Sequence, residues 1–590
     1  MPEKPGIGHR ASGIVFSAVI ATAAQLAPLV AGKGPYIANE DERFYYAAFA
    51  GAAREPLGVT NPFDREWADA APAGIRLLAL ALAVPVKLGV DEELVWDGAR
   101  WLGNFSSTAL LVAIGSRIAT PALGAAAAVL IQLDPGAFYG KPFLSLAGIG
   151  VHHEDDPHQL VTSRSMVSAL TLPFLLLCVL GTIRLARRNA SALRRRFQFG
   201  ASTLLIGLAG FSGHLFTWAG VLAGSAAAAL LHPRRRRMLL PVFIGGVLAG
   251  VLVLAGGLGR HGTSLEEIIM RLGAIRTHRP QFLTHAGFWG AALAASVLVF
   301  TRLRFCSAAV AVGAMYIGAW ALSMLHTPVL GWDVESYHFA HVMAPLGVLV
   351  WLTLAWHLWH HRRRRQPMLK LLLFPAGLAF CLVAFRGPIF AMRGLGASIA
   401  ESGDARGEMI AWLERGAIPA GHVVTAARPY QMALATAYDG IMFAAPYQMM
   451  WSIPDTVIFH RSVCASVLSG ADSAAVTREA LKPRPGSIAV YHDGRPAGIP
   501  LEGVRVYFDI FPRLAAALGS AVAEAHRSPQ ALRASCYERP DYALAIGKQH
   551  VRRALAAATA LGGGAHWMAS DSGAAWTSLR PAQASGLRPD

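Results

Sequence analysis

"LPFLLLCVLGTIRLARRNASALRRR", residues 172–196, runs a solid apolar stretch into a cluster of six arginines. A helix clad in Leu, Phe, Val and Cys gains nothing from water, and a basic block at its end holds that end on the cytoplasmic side of a bilayer. The pattern recurs along the chain. Apolar runs border Arg234–Arg237, then Arg302 and Arg304, then Arg362–Arg365. The reading is a polytopic α-helical membrane protein.

Composition agrees. The 590 residues are 54% hydrophobic and only 15% charged, with a mean hydropathy of +0.41. A soluble chain carries about 25% charged residues. The formal charge of +17 and the pI near 10.1 invite a nucleic-acid reading. The arginines sit as short blocks between apolar runs, so they report topology, and no nucleic-acid partner is expected. Cys178, Cys306 and Cys381 fall inside apolar runs and read as packing residues. Cys464 and Cys536 can pair if their domain faces an oxidising compartment, which the sequence alone leaves open.

Met1–Arg10 is short and basic, and an apolar run follows from about residue 13 to 30. It reads as an uncleaved first span entering from the cytoplasm, with a cleaved signal peptide as the alternative. Further spans are expected near 74–89, 102–117, 119–133, 164–184, 199–213, 214–231, 238–258, 284–301, 305–325, 339–360 and 369–386. That series alone would leave Arg184–Arg196 outside. A short extra crossing at 135–150, rich in Gly and Pro, repairs the parity and brings the count to about 13 transmembrane helices. The transmembrane domain then covers 1–390, with external segments 33–73, 152–163, 259–283 and 326–338.

From residue 398 to 590 the composition turns globular. Short strand patterns at 422–426, 441–444, 487–491 and 542–546 alternate with helical ones at 404–415, 429–437 and 513–525. The spacing predicts a small α/β domain, periplasmic by the parity above. It carries no Gly-rich phosphate loop and no nucleophile elbow.

The first external segment opens with "NEDERFYYA", residues 39–47, just past the first apolar run. Phe44, Tyr45, Ala48, Phe49 and Ala52 recur at helical spacing, as in a helix lying on a membrane surface. Acids at such a helix start are favoured by its dipole, which alone accounts for them. A functional reading places a carboxylate at the water–lipid boundary, where it can deprotonate an acceptor.

"DERFYYA" (41–47), an acidic pair followed by aromatics in the first external loop, resembles the first-loop motif of the GT-C superfamily of membrane glycosyltransferases. Within it, the stretch is similar to the first-loop motif of protein O-mannosyltransferases and aminoarabinose-to-lipid-A transferases. The resemblance implies Asp41 as base, Glu42 as its support, and Tyr45 or Tyr46 as cavity-lining aromatics. It also implies a many-span fold with a long first loop and an external C-terminal domain. The oligosaccharyltransferase branch fits less well, because no Trp-Trp-Asp signature occurs in the C-terminal domain. "TSLEE" (263–267) reads better as a helix capping box than as that branch's loop motif.

A polyprenyl-phosphate donor needs cations at the outer boundary, and arginine forks suit phosphate oxygens. The candidates are Arg164, Arg260, Arg276 and Arg279, with His278 between the last two in "AIRTHRP" (274–280). Headgroup anchoring explains such residues equally well. His338 stands where GT-C proteins often place an Arg-Tyr pair, and here Tyr337-His338 replaces it. Glu154, Asp155 and Asp156, within "HHEDDPH" (152–158), can hold a divalent ion such as Mg or Mn, or form a solvated loop.

The expected function is therefore a glycosyltransferase of a bacterial inner membrane. Embedded in the lipid bilayer, it moves a sugar from a polyprenyl-phosphate-linked donor to a cell-envelope glycan, lipid or protein on the periplasmic side. A lipid or polysaccharide transporter or flippase, and a non-catalytic GT-C-like scaffold, are the alternatives.

Overall fold

The computed structural model describes residues 7–31, 46, 49–53, 76–133, 169–186, 215–231, 244–248, 275–276, 278, 286–300, 306–333, 339–362, 407–419, 422–427, 430–431, 434, 441–443, 455–481, 512–569 and 573–579. The chain divides into two compact units. One comprises residues 1–42, 84–255 and 277–401; the other comprises 43–83, 256–276 and 402–590.

The first unit is helical. Its helices are α1 (Ile7–Ala31), α3 (Glu92–Ile118), α4 (Pro121–Leu133), α5 (Leu172–Ala186), α6 (Leu215–Leu231), α7 (Ala286–Phe300), α8 (Ser307–Leu330) and α9 (Ala340–Arg362). A short helix α2 (Arg76–Lys87) spans the boundary between the units. Among the described residues, α8 and the Val342–His360 part of α9 are long and apolar enough to cross a membrane by themselves. Several others are shorter apolar helices.

Contacts between named residues set the direction of each helix. Thr22 meets Trp101, whose Nε1 donates to the threonine hydroxyl at 3.2 Å, and Gly13 approaches Val112. Helices α1 and α3 are therefore antiparallel. Gly115 and Gly124 bring the backbones of α3 and α4 into contact, where a Cβ on either would strike the other helix. Gly103 of α3 faces the Ala169 carbonyl, just before α5, so α5 starts beside the first half of α3. Phe216 and His326 both meet the ring of Phe339 at 5.2 Å, which places the start of α6, the end of α8 and the start of α9 together. Cys306 donates to the Ile118 carbonyl at 3.2 Å, joining the start of α8 to the end of α3.

All these directions share one polarity. One end of the unit carries Ile7, Arg117, Arg184 and Arg362, and α6 and α7 run toward it to Leu231 and Phe300, shortly before Arg234–Arg237 and Arg302 in the sequence. We call it the arginine end. The opposite, acidic end carries Ala31, Asp91–Asp97, Leu133, Ala169, Leu215 and Leu330.

Two sequence expectations change as a result. A single crossing at 74–89 would make α1 and α3 parallel, and they are antiparallel. Without that crossing Arg117, Arg184 and Arg362 already fall at one end, so parity no longer calls for one at 135–150. Those residues, like 199–213 and 369–386, lie outside the described ones. Helix α8 also runs to Leu330, five residues past its expected end, because Pro328 still fits its last turn and Gly331 closes it in the left-handed conformation (φ 73°).

The second unit holds a five-stranded sheet. Its strands are β1 (Val423–Ala426), β2 (Ile441–Met442), β3 (Tyr542–Ile546), β4 (Gly564–Ala569) and β5 (Ala574–Ser578), in the order β2-β1-β3-β5-β4. β1 pairs parallel with both β2 and β3, while β5 is antiparallel to β3 and β4. The central strand β3 reads YALAI, apolar on both faces, as a strand covered on both sides must.

Helices α10 (Asp455–Leu468), α11 (Ser473–Leu481), α12 (Pro512–Arg527), α13 (Pro529–Ser535) and α14 (Lys548–Ala560) complete the unit. Leu518, Val522 and Ala525 of α12 point inward at helical spacing. Trp576 is fully buried and its Nε1 donates to the Trp412 carbonyl at 3.2 Å. Cys464 and Cys536, 72 residues apart, form a disulfide tying α10 to the end of α13. Beside it, buried Arg461 binds Glu538 at 2.6 and 2.7 Å. The strands expected at 422–426 and 542–546 are present, and the one at 487–491 lies outside the described residues.

Candidate functional site

Asp91 opens α3 by accepting from the Leu94 amide at 2.9 Å, and Glu92 and Glu93 fill the first turn, where the helix dipole favours them. Down one face of the same helix come Asp97, Arg100, Asn104, Ser107 and Thr108. Arg100 is only 1% exposed, and its guanidinium binds Asp97 at 3.1 Å. Thr108 donates back to the Asn104 carbonyl at 2.9 Å. Both side-chain atoms of Asn104 and the hydroxyl of Ser107 are buried without a hydrogen-bond partner.

Gln132 of α4 is in the same condition, with both amide atoms buried and unpartnered. The α3–α4 crossing at Leu111, Val112 and Gly124 fixes its level: eight residues beyond Gly124 lies eight residues before Val112, beside Asn104. Thr171, 3% exposed, follows Ala169 at that level. The acidic half of the bundle therefore concentrates buried polar groups. Each carboxamide left without a partner costs about 1–3 kcal/mol.

The same end carries two histidines. His278 is exposed and lies 3.3 Å through Nδ1 from the Pro328 carbonyl, at the end of α8. A carbonyl only accepts, so Nδ1 carries the proton and Nε2 is left to accept. His326 is buried, its Nδ1 shared between the Leu322 and Ser323 carbonyls at 3.2 and 2.9 Å, with Thr327 3.4 Å from Nε2.

Of the candidate site residues named from sequence, His278, Arg276 and Tyr46 are described. His278 sits at the acidic end as above. Arg276 lies in a two-residue strand, Ile275–Arg276, of the second unit. Tyr46 also belongs to the second unit, where its ring meets fully buried Phe49 edge-on at 6.0 Å. Asp41, Glu42, Tyr45, Arg164, Arg260, Arg279, His338, Glu154, Asp155 and Asp156 lie outside the described residues. Among the described residues no group of three or more His, Cys, Asp or Glu can hold a metal.

Arg100 and Asn104 escaped the sequence reading. Their signal is present in "DGARWLGNFSST" (97–108), where polar residues recur every three or four positions. Starting the span at 102 divided that stripe between a loop and a helix and hid its period.

No protein-family model matches the chain, and neither does any curated protein. Among solved structures the chain is similar to the apo oligosaccharyltransferase of Archaeoglobus fulgidus, with a TM-score of 0.42 and 13% identity over 74% of this chain. It spans 65% of that protein's length. It is also similar to apo ArnT from Cupriavidus metallidurans, at a TM-score of 0.42 and 13% identity, covering 81% of this chain and 91% of that one.

Proposed function

We propose that the protein is a membrane glycosyltransferase that takes a sugar from a polyprenyl-phosphate-linked donor and passes it to a cell-envelope acceptor on the side away from the arginine blocks. The observation that carries this reading is the shared polarity of the helices. The connection leaving α1, which contains Asp41 and Glu42, departs from the acidic end of the unit. The connection from α4 to α5, which contains Glu154, Asp155 and Asp156, leaves and returns at that same end. So do the start of α3 and His278.

In this reading the arginine end faces the cytoplasm of a bacterial inner membrane, and the second unit is periplasmic. Asp41 deprotonates the acceptor hydroxyl or amine, and Glu42 supports it. Arg164, Arg260, Arg276, Arg279 and His338 are the candidates to hold the donor phosphate, with Tyr45, Tyr46 and His278 lining the cavity. Glu154, Asp155 and Asp156 offer hard oxygen ligands suited to Mg or Mn, which would neutralise a phosphate.

The test is lipid-linked sugar transfer in membranes carrying Asp41→Asn at normal abundance. The expected result is a loss of roughly 100-fold or more. Unchanged transfer removes Asp41 from the mechanism.

One observation favours a second reading, a lipid or polysaccharide transporter. A guanidinium and two carboxamides buried inside a helical unit are the kind of group that lines a polar path through a membrane. Substrate movement that persists in Asp41→Asn without any sugar transfer would select it.

A further inference from the structure

Asn104, Ser107 and Gln132 are each 0% exposed, and among the described residues their side-chain nitrogens and oxygens have no hydrogen-bond partner. Two stripes bring them to one seam. On α3, Asn104, Ser107, Leu111 and Gly115 recur at three- and four-residue spacing, and the last two meet Gly124 of α4. On α4, Gly124, Ala128 and Gln132 follow at every fourth position. From the Leu111–Gly124 contact, Asn104 lies seven residues back and Gln132 eight residues on. Those distances are about 11 and 12 Å along antiparallel helices, so the two carboxamides stand at one level.

The chemistry of these atoms limits what satisfies them. A cation pairs with the two carboxamide oxygens and strands both amide nitrogens, and an anion does the reverse. A hydroxyl both donates and accepts. A group bearing several hydroxyls therefore matches Asn104 Oδ1 and Nδ2, Gln132 Oε1 and Nε2, and Ser107 Oγ together. One and two turns before Asn104 on the same face of α3, Arg100 and Asp97 bind each other at 3.1 Å, so that pair brings no net charge to the seam. A neutral ligand fits this setting better than an ion.

We propose that Asn104, Ser107 and Gln132 form a binding site for the uncharged, hydroxyl-rich head of an amphiphile, a sugar carrying an alkyl chain. Gln132 is the last residue but one of α4. The head enters by parting that last turn from α3, and the tighter Gly115–Gly124 contact stays closed. Leu94 and Leu102 of α3, 64% and 57% exposed, offer apolar surface to the chain of the amphiphile. Such a site suits a protein that transfers sugars and one that moves them alike.

The test uses the full chain in phosphatidylcholine nanodiscs. Radiolabelled octyl glucoside, kept below its micelle concentration, is the probe, and octyltrimethylammonium, which has no hydroxyl, is the control. The expected result is saturable glucoside binding that the control does not displace. Asn104→Leu and Gln132→Leu should each weaken it about tenfold, as the loss of buried hydrogen bonds does, while Thr353→Val leaves it unaltered. A site that takes water only shows no saturable binding, and that result overturns the proposal. Equal displacement by octyltrimethylammonium, or unchanged affinity in both leucine variants, overturns it too. Should neither leucine variant accumulate, Ser107→Ala decides the matter: a loss of roughly threefold supports the site, and unchanged affinity removes it. Binding is read without acceptor or phosphate, so its failure leaves the transfer reading standing.

Discussion

The two halves of the helical unit are built by different rules. Toward the arginine end, Leu111, Ile114, Ile118, Leu175, Val179, Ile183, Leu298 and Leu354 make a continuous apolar core. The buried polar groups there are mostly single hydroxyls, such as Thr182, which returns its proton to the Cys178 carbonyl at 2.9 Å. Toward the acidic end the buried set includes a guanidinium, two carboxamides and an imidazole. Both halves pack tightly, yet one keeps costly groups that packing does not require. A chain retains such groups where ordering a polar ligand or loop repays them.

The contrast makes forecasts, here taken from the largest effect down. Ile114→Ala, in the apolar half, should lower stability by about 2–5 kcal/mol in detergent unfolding, with transfer per folded molecule unaltered. A drop in specific transfer would mean that the halves are not separate in function. Losing the disulfide through Cys464→Ser and Cys536→Ser should cost about 2–5 kcal/mol in the second unit. Thiol labelling of the unaltered protein should find both cysteines blocked, and free thiols there would place that unit in a reducing compartment.

Arg100→Met should cost about 2 kcal/mol, less than a fully buried pair because the Asp97 side chain keeps 26% exposure, and it should lower transfer as well. Asn104→Leu is the sharpest case. Removing two orphaned atoms should raise stability by about 1–3 kcal/mol while transfer falls. If stability falls instead, Asn104 has a partner that repays its burial, and the cost assigned to the acidic half is wrong. Thr353→Val, which removes an orphaned hydroxyl in α9 near the arginine end, should add about 1 kcal/mol and leave transfer alone.

Much of the fold was legible from local pattern. The apolar runs at 119–133, 214–231, 284–301 and 305–325 are helices within a few residues of those limits, because a run of Leu, Ala and Val has a single low-energy form in lipid. Helix directions were not legible, because a short apolar helix looks the same whether it crosses a membrane or lies beside it. A crossing at 74–89 conflicts with the antiparallel α1 and α3, and the crossing expected at 135–150 lies outside the described residues. The candidate site was legible only as residue types near span ends. Arg100 was passed over because its burial depends on how α3 meets its neighbours, not on its own segment.

By itself, then, the sequence determined a series of apolar helical runs with arginines in short blocks between them, and strand patterns at 422–426 and 542–546. Those properties rest on hydropathy, charge and strand pattern, which act over a few residues. Only the tertiary structure decided that α1 and α3 are antiparallel, that Asn104 and Gln132 share one buried level, that Cys464 meets Cys536, and that Cys306 meets the end of α3 at Ile118. Each of those depends on contacts between distant segments, and no local pattern encodes which side chains will meet.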